Sequence, residues 1–389
     1  MLLNPYKPGA GKPPSYLAGR ESIIEQALRE SCFLQEGTAG RPIAYYGLRG
    51  VGKTVMLNAI KKRVEDSGIL CEFIEISERD NFKQVIALSV KKLMRKLSLV
   101  ETVKTHITNA LGVLKAFSIT WSPDGNEFGF GVGDDVAAAS GTADTGHFQS
   151  DLTELFLALG ELAQCKERGV CLFFDEIQYL GDVELEALIA AIHRANQVDS
   201  PIMVYVTGLP MILKQMGDIK SYAERLFEFV SIGPLSESDA IDALAKPALK
   251  REVTFTNEAV SRIVNITAGY PYFIQEFGRQ VWEIRKSETI DIDDVSKAVT
   301  LFHKSLDSGF FKVRLDRATP REKEFMYGMV ECGELPCTLA NVADNMKSST
   351  KKIAPLRAQL IRKGFIFSTG HGEIDFTVPQ FDLYLKRLA

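Results

Sequence analysis

The segment from Gly47 to Thr54 restricts the possible folds of this chain more than any other part of the sequence. It reads GLRGVGKT and fits the pattern GxxxxGK[ST]. An apolar stretch with strand character precedes it, and a helical pattern follows it up to about Gly68. Glycines let successive backbone N–H groups turn toward phosphate oxygens, and the start of the helix adds positive potential. The flanking elements argue against a chance glycine turn, so the sequence predicts a phosphate-binding loop.

Two side chains at the end of this loop carry the expected chemistry. Lys53 should reach the outer phosphates of a nucleotide, and the Thr54 hydroxyl should ligate Mg²⁺. ATP and Mg²⁺ are therefore the predicted ligands. The residues of the loop that are predicted to contact the nucleotide are Gly47, Arg49, Gly50, Val51, Gly52, Lys53, Thr54 and Val55.

A pair of acids ends a second apolar run, GVCLFFDE. The carboxyl ends of parallel strands meet at one crevice, so Asp175 and Glu176 should lie beside the phosphate loop. Asp175 is predicted to hold the magnesium ion, and Glu176 to orient and deprotonate the attacking water. Taken alone, two acids after a strand could belong to a solvated loop. Combined with the phosphate loop, they predict ATP hydrolysis.

Four apolar strands alternate with helical patterns before Gly233, which predicts an α/β fold with a parallel, doubly wound sheet. One helical stretch is expected from about Asn81 to Phe117. Residues 117–133 then alternate aromatic and polar side chains around a turn sequence, which predicts a hairpin insertion that carries Trp121, Phe128 and Phe130. This hairpin would either cover its own core or serve as a partner surface. Residues 134–147 are small and polar and are predicted to be mobile.

The rest of the chain divides into smaller units. Residues 1–20 are rich in Pro, Gly and Lys and predict an extended arm, and residues 21–232 form the α/β core. Residues 233–306 contain about four amphipathic helices and predict a helical domain. In residues 316–389, three helical patterns precede two short strands around Gly370, which is the order of a winged helix.

Together these features resemble the AAA+ class of P-loop ATPases, in particular the branch of replication-initiator ATPases and the related STAND signalling ATPases. The resemblance covers the α/β core, a helical lid and the winged helix. It implies that Tyr16 and Leu17, in the segment before the first helix, pack on adenine, although this segment could be a plain loop. It also implies that Thr207, at the end of PIMVYVTG, senses the γ-phosphate, for which a structural role is the alternative.

The resemblance bears on two more positions. Arg225 falls where the family places an arginine finger that reaches the phosphate of a neighbouring subunit, with a salt bridge to Glu224 or Glu228 as the alternative. In the lid, many members carry a sensor arginine after a glycine, whereas residues 268–272 read AGYPY. This is closer to the GxP pattern of STAND proteins, which places Pro271 near the nucleotide and favours a slow switch over fast processive hydrolysis.

Basic residues are concentrated at the end of the chain. Residues 347–389 contain eight Lys and Arg residues against three acids, whereas the whole chain has a formal net charge of −4. The start of the third helix of a winged helix contacts DNA, and the wing tip follows it. The predicted DNA contacts are Thr350, Lys351, Lys352, Arg357 and His371. Docking of a protein, or simple solvation of basic helix ends, is the alternative.

Composition limits the remaining possibilities. The six cysteines form no CxxC pair, which predicts reduced thiols, and no stretch approaches the roughly 20 apolar residues that span a bilayer. We therefore expect a cytoplasmic protein, and the resemblance implies that it assembles as a homo-oligomer. Two functions fit: an ATP-driven, DNA-associated AAA+ ATPase, and a STAND-like switch whose winged helix docks a protein partner. The pathway, the oligomer size and any DNA sequence preference are not predicted.

Overall fold

A parallel sheet forms the centre of the first half of the chain. A computed structural model describes residues 3–98, 104–121, 136–370 and 372–388, and within these ranges the sheet has five parallel strands in the order β2-β3-β4-β1-β5. Its strands are β1 (Ile43–Tyr46), β2 (Leu70–Glu75), β3 (Val170–Asp175), β4 (Ile202–Gly208) and β5 (Glu228–Ser231). The four predicted strands are confirmed. The sequence analysis missed β5, a partly exposed edge strand of four residues with a weak apolar pattern.

Helices cover both faces of this sheet. They are α1 (Glu21–Cys32), α2 (Lys53–Asp66), α3 (Phe82–Ser98), α4 (Lys104–Trp121), α5 (Phe148–Cys165), α6 (Asp182–Gln197), α7 (Met211–Ile219) and α8 (Ala223–Leu226). Alternate strand residues point to opposite faces. Phe173 and Tyr205 accordingly pack with α1 and α2, whereas Phe174 and Val206 pack with α3 to α7. Because both faces of the sheet carry apolar side chains, helices pack on both faces, which is the doubly wound arrangement.

The strand register determines where the residues that follow β1, β3 and β4 lie. Tyr46 of β1 pairs with Gly208 of β4, and Phe174 of β3 pairs with Val206 of β4. The residues that follow these strands therefore emerge at one edge of the sheet, side by side. β3 is buried along its whole length, as expected for a central strand with helices on both faces.

The predicted hairpin is wrong over its first five residues. Residues 117–121 continue α4, which ends at Trp121. Phe117 and Leu114 lie on the buried face of this helix, and the Trp121 Nε1 donates a hydrogen bond of 2.9 Å to Asp151. Helical spacing of these apolar side chains overrides the short alternation seen in the sequence. Phe128, Phe130 and the proposed turn lie outside the described residues.

Residues 136–147, in the segment that was predicted to be mobile, form turns that hydrogen-bond to neighbouring helices. The backbone N–H groups of Thr145 and Gly146 both donate to the buried carboxylate of Asp151 on α5. The Ala139 N–H donates to the carbonyl oxygen of Gly112 on α4. These contacts join the segment to α4 and α5.

The next part of the chain, residues 236–316, is called here the helical segment. It contains α9 (Glu237–Leu249), α10 (Asn257–Thr267), α11 (Pro271–Ile284) and α12 (Ile292–Ser305), followed by a π-helical turn (Leu306–Phe311) and α13 (Lys312–Asp316). Two-residue strands, β6 (Thr254–Phe255) and β7 (Thr289–Ile290), pair in parallel between the helices. The side chains of Ser236, Thr256 and Asp291 cap three of the helices.

Residues 319–388, called here the C-terminal segment, combine helices with a small antiparallel sheet. Its elements are α14 (Pro320–Val330), β8 (Cys337–Thr338), α15 (Leu339–Asn345), α16 (Thr350–Arg362), β9 (Ile366–Gly370), β10 (Glu373–Phe376) and α17 (Phe381–Leu388). The sequence predicts helices near Pro320 to Glu331, Leu339 to Met346 and Thr350 to Lys363. Each of them begins at the predicted residue and ends one residue earlier than predicted. β8 and α17 were not predicted. Phe311 of the helical segment packs against Phe381 and Tyr384, so the two segments share one core.

The N-terminal arm lies on the helical segment. Tyr6 is buried, its hydroxyl donates 2.5 Å to the Leu244 carbonyl oxygen, and its ring contacts Trp282 edge-on. All six cysteines are free thiols, as expected. No helix within the described ranges is both long and apolar enough to cross a membrane.

Candidate nucleotide-binding site

The predicted phosphate loop connects β1 to α2 and takes a conformation that requires its glycines. Gly50 and Gly52 have φ angles of 84° and 89°, in the left-handed region that side chains with a Cβ rarely adopt. A Cβ on Gly47 would lie 2.1 Å from the Ile232 carbonyl oxygen. The loop therefore fits closely between the sheet and the start of α2, where free backbone N–H groups can face an anion.

Lys53, the first residue of α2, points back into this loop. Its ammonium donates hydrogen bonds of 2.9 Å to the Gly47 carbonyl oxygen and 3.0 Å to that of Leu48. The pKa of Lys53 is lowered to about 8, chiefly by burial and also by the nearby Arg49, while Glu176 and Asp175 act in the opposite direction. A buried cation that is held only by carbonyl oxygens suits an anionic ligand, which would restore the ordinary pKa.

Asp175, at the end of β3, is the centre of a buried polar cluster. Its Oδ2 accepts a hydrogen bond of 2.6 Å from the Thr54 hydroxyl, and its Oδ1 accepts one from the Thr207 hydroxyl at the end of β4. Burial raises the pKa of Asp175, and the two threonine hydrogen bonds oppose this rise. The strand register thus brings together Thr54, Asp175 and Thr207, which are far apart in the sequence. This oxygen-rich set is chemically suited to Mg²⁺.

Glu176 lies next to this cluster in a strained backbone conformation. Its φ of 60° is left-handed, which is uncommon outside glycine and recurs where structure holds a functional side chain. Its carboxylate accepts a hydrogen bond from the Gln178 amide and lies 3.9 Å from the Arg49 guanidinium. Gln178 is fixed in turn, because its Oε1 accepts a 3.0 Å hydrogen bond from the Leu209 N–H. The Glu176 carboxylate therefore has a defined position at the mouth of the loop.

A cavity of about 430 Å³ lies over the loop and joins the predicted site residues from different parts of the chain. Its lining includes the loop from Arg49 to Val55, Glu176, Tyr16, Leu17 and Pro271. Tyr16 is oriented by Lys246, whose ammonium donates 2.9 Å to the Tyr16 hydroxyl and lies over its ring. One end of the cavity is thus polar and cationic, and the other is lined by apolar and aromatic side chains.

Comparison with known protein families agrees with this geometry. Residues 16–205 match the family described as AAA ATPase domain. These residues are similar to that family over a little less than half of the chain, and the matched part is called here the AAA domain. Residues 308–385 match a second family, described as a domain of unknown function (DUF8462). A comparison with curated proteins gave no match.

One solved structure supports the fold. The Walker-type ATPase paby2304 of Pyrococcus abyssi superposes with a TM-score of 0.59 at 14% sequence identity, over 95% of this chain and 96% of that chain. The Orc1 protein of Aeropyrum pernix in complex with DNA has a TM-score of 0.47 at 13% identity, covering 96% of this chain and 92% of that one. The RuvB Holliday junction branch migration motor of Thermotoga maritima has a TM-score of 0.45 at 14% identity, with 95% of each chain covered. The last two scores are too low to support a conclusion.

The structure also places residues at the AAA site that the sequence analysis did not single out. The buried Arg20 donates hydrogen bonds of 3.2 Å to the Val51 carbonyl oxygen and 2.6 Å to that of Gly233, and so holds the phosphate loop from behind. Gln178 orients Glu176. Arg314, on α13, lines the cavity from the helical segment. The position of Gln178, two residues after the acid pair, was a usable signal for it, whereas nothing in the local sequence marks Arg314.

Arg225 lies apart from the AAA cavity. It is exposed on α8 and forms no ion pair with Glu224, Glu228 or any other residue in the described ranges. Glu228 instead accepts a 2.6 Å hydrogen bond from Gln26. The salt bridge of Arg225, which was the alternative to an arginine finger, is therefore absent from the described part of the chain. The role of Arg225 as an arginine finger remains a prediction.

The predicted DNA contacts lie at the opposite end of the chain. Thr350, Lys351 and Lys352 are exposed in the first turn of α16, as a DNA-contacting role requires. Arg357 is partly buried and donates 3.3 Å to the Ser368 hydroxyl on β9, so its guanidinium is partly used within the fold. His371 lies outside the described residues.

Proposed function

We propose that this protein binds and hydrolyses ATP with Mg²⁺ and couples its nucleotide state to self-assembly and DNA association. The observation that carries the first part of this proposal is the cluster in which Thr54 and Thr207 both donate to Asp175, next to the phosphate loop. It joins the loop to two other strand ends, as a site for a nucleotide and its metal ion requires.

The residues present fit Mg²⁺ and ATP. Asp175 and Thr54 would hold the metal ion through oxygen atoms, and Lys53 with the loop N–H groups would bind the phosphates. Tyr16, Leu17 and Pro271 line the apolar end of the cavity and would contact the base. Bound Mg²⁺ would neutralise charge on the phosphate oxygens.

Hydrolysis needs a base near the outer phosphate. The Glu176 carboxylate is held by Gln178 near the loop and is the group that would accept a proton from the attacking water. Thr207 would keep Asp175 oriented and would sense the outer phosphate from the end of β4. Arg225, exposed and free of ion pairs within the described ranges, would act on the nucleotide of a neighbouring subunit.

The C-terminal segment would supply the DNA contact. The exposed Lys351 and Lys352, beside Thr350, form the basic start of α16, the position at which a winged helix meets the phosphates of a duplex. Arg357 would extend this contact toward β9, and His371, which lies outside the described residues, is proposed as a further contact. The nucleotide state would then change DNA binding by changing how the C-terminal segment packs on the AAA domain.

A second candidate is a STAND-like switch whose C-terminal segment docks a protein partner. It is favoured by one contact, in which the Arg49 N–H in the phosphate loop donates 3.1 Å to the Thr377 carbonyl oxygen. The C-terminal segment thus touches the phosphate loop itself, so a change at the nucleotide could release it. The two candidates share the AAA site and differ in the ligand of the C-terminal segment.

ATP binding and phosphate release by the purified protein, with and without Mg²⁺, test the shared part. Lys53→Ala should weaken ATP binding by about tenfold or more, because charge-assisted hydrogen bonds to the phosphates are lost. Lys61→Ala is the matched control, since Lys61 lies on the same helix and pairs with Glu65 at the surface. Equal ATP affinity of Lys53→Ala and the wild type would disprove the site assignment.

The same assay separates the two candidates when it is repeated with duplex DNA over a range of protein concentrations. A turnover rate per subunit that rises with protein concentration and with DNA supports the ATP-driven, DNA-associated protein. A slow rate that is independent of both supports the switch.

A further inference from the structure

Arg314 brings an additional cation to the phosphate end of the cavity, from a part of the chain that contains no recognisable nucleotide motif. It lies on α13, between the helical and the C-terminal segments, and lines the same cavity as Arg49, Lys53 and Glu176. Its electrostatic neighbours include Arg49, Tyr179 and Glu176. Arg314 is therefore at the end of the cavity where the outer phosphates would lie, away from Tyr16 and Leu17.

The hydrogen bonds of Arg314 leave part of its guanidinium unused. Its Nη2 donates to the Gly364 carbonyl oxygen and, at 3.2 Å, to the Thr377 hydroxyl. Its Nε is buried and has no hydrogen-bond partner among the described residues. It forms no ion pair with a carboxylate in the described ranges. Buried guanidinium donors without an acceptor are unfavourable, so this arrangement points to an anionic ligand.

The surrounding charge points the same way. The pKa of Arg314 is lowered to about 9, chiefly by burial and also by the neighbouring Arg49. The Nε of Arg49 is likewise buried without a partner among the described residues. Lys53 lines the same cavity as these two arginines, as do Lys7, Lys12 and Arg20, and the mutual repulsion of these cations would be relieved by a ligand with several negative charges.

We propose that Arg314 binds the outer phosphates of the nucleotide and transmits their presence to the C-terminal segment through Gly364 and Thr377. The inference rests on the proposed ATP site and adds to it a binding residue and a route of regulation. Nη2 already contacts the C-terminal segment, and the side chain also lines the cavity, so one side chain can make both contacts at once.

The two arginines share the same C-terminal residues. Thr377 accepts the Arg49 N–H through its carbonyl oxygen and the Arg314 guanidinium through its hydroxyl. Gly364 accepts a hydrogen bond from Arg314 and also lies near Arg49, since a Cβ at this position would lie 3.0 Å from the Arg49 Nη2. A bound triphosphate that fixes both arginines should therefore tighten the packing of residues 364–377 on the phosphate loop.

The test compares ATP and ADP affinities of the full chain with those of Arg314→Ala, Arg314→Gln and Arg314→Lys. Arg314→Ala and Arg314→Gln should bind ATP about tenfold more weakly or worse, and ADP with a smaller loss, while Arg314→Lys should recover part of the difference. Arg317→Ala is the matched control, because Arg317 follows on the same turn and pairs with Glu78 at the surface. Should Arg314→Ala fail to fold, Arg314→Gln carries the same test.

Hydrogen exchange reports the second half of the proposal. ATP should slow exchange of the Thr377 and Arg49 amides in the wild type more than ADP does, and should have no such effect in Arg314→Gln. If the wild type binds ATP and Arg314→Gln binds it equally well, Arg314 is not a phosphate ligand and the inference is wrong by itself. If the wild type binds neither nucleotide, the proposed function fails first.

Discussion

The strand ends of the AAA domain and the basic start of α16 both carry charged residues, yet they hold them in opposite ways. Lys53, Asp175 and Thr207 are buried, and each is fixed by hydrogen bonds to another part of the site. Lys351 and Lys352 are exposed, and neither has an ion pair in the described ranges. Burying ionisable groups costs free energy, whereas solvated lysines cost almost none. Buried polar groups at strand ends are therefore the stronger indication of function.

Part of the basic excess at the end of the chain is neutralised by the fold. Lys363 pairs with the buried Glu322 at 2.9 Å, and Arg387 pairs with Asp307 at 2.5 Å. Both acids come from outside residues 347–389, so a count of charges within that segment overstates the field that a duplex would meet. Lys351 and Lys352, at the first turn of α16, are among the basic residues that have no ion pair within the described ranges.

We expect the largest change in the rate of hydrolysis from a substitution of Glu176. Glu176→Gln should keep ATP affinity and lower the rate of hydrolysis by a factor of up to about 10⁴, because an amide cannot accept the proton of the attacking water. The Gln side chain can still interact with Gln178, so the site should keep its shape. Single-turnover hydrolysis and equilibrium ATP binding measure the two quantities separately.

Glu161→Gln provides the control, since Glu161 is exposed on α5 and does not line the cavity. Hydrolysis by Glu176→Gln at the wild-type rate would place the base elsewhere and would remove the functional meaning of the strained φ at this residue.

Exposed residues can still matter if a second subunit completes the site, and Arg225 tests this exception. Arg225→Ala should bind ATP normally and hydrolyse it about a thousandfold more slowly if its guanidinium serves a neighbour. Glu176→Gln subunits would keep the finger, and Arg225→Ala subunits would keep the base. Mixtures of the two should therefore regain activity that neither has alone, and recovery should rise with protein concentration.

Arg194→Ala, a change of another exposed arginine of the AAA domain, is the control for loss of surface charge. If subunits exchange and the mixture stays inactive, Arg225 does not act in trans. The slow STAND-like switch would then be the better description of the site.

The sequence could predict those parts of the fold and site in which one local pattern decides the structure. Glycine spacing identified the phosphate loop, and a continuous apolar run identified β3 and placed Asp175 at its end. The hairpin prediction failed at Trp121, because alternation over a few residues cannot compete with the helical spacing of Leu114 and Phe117 against the core. Arg314 could not be found either, since its role depends on the packing of α13 against the C-terminal segment.

The smallest effect is expected where the charges are exposed. Lys351→Ala combined with Lys352→Ala should weaken binding to random duplex DNA severalfold and reduce the magnitude of the slope of log affinity against log salt by about 0.9 for each lost phosphate contact. Both lysines are solvated, so the change should leave thermal stability and ATP turnover without DNA unaltered.

The matched control replaces Lys286, Lys297 and Lys304, three exposed lysines of the helical segment, by Ala. It removes more positive charge than the double variant, so an equal loss in both proteins would indicate a general electrostatic effect. Loss in the double variant alone would locate the duplex at α16, and no loss in either would assign the C-terminal segment to a protein partner. The salt slope decides the matter more sharply than affinity, because it counts the ion pairs formed with DNA phosphates and is insensitive to contacts with an uncharged surface.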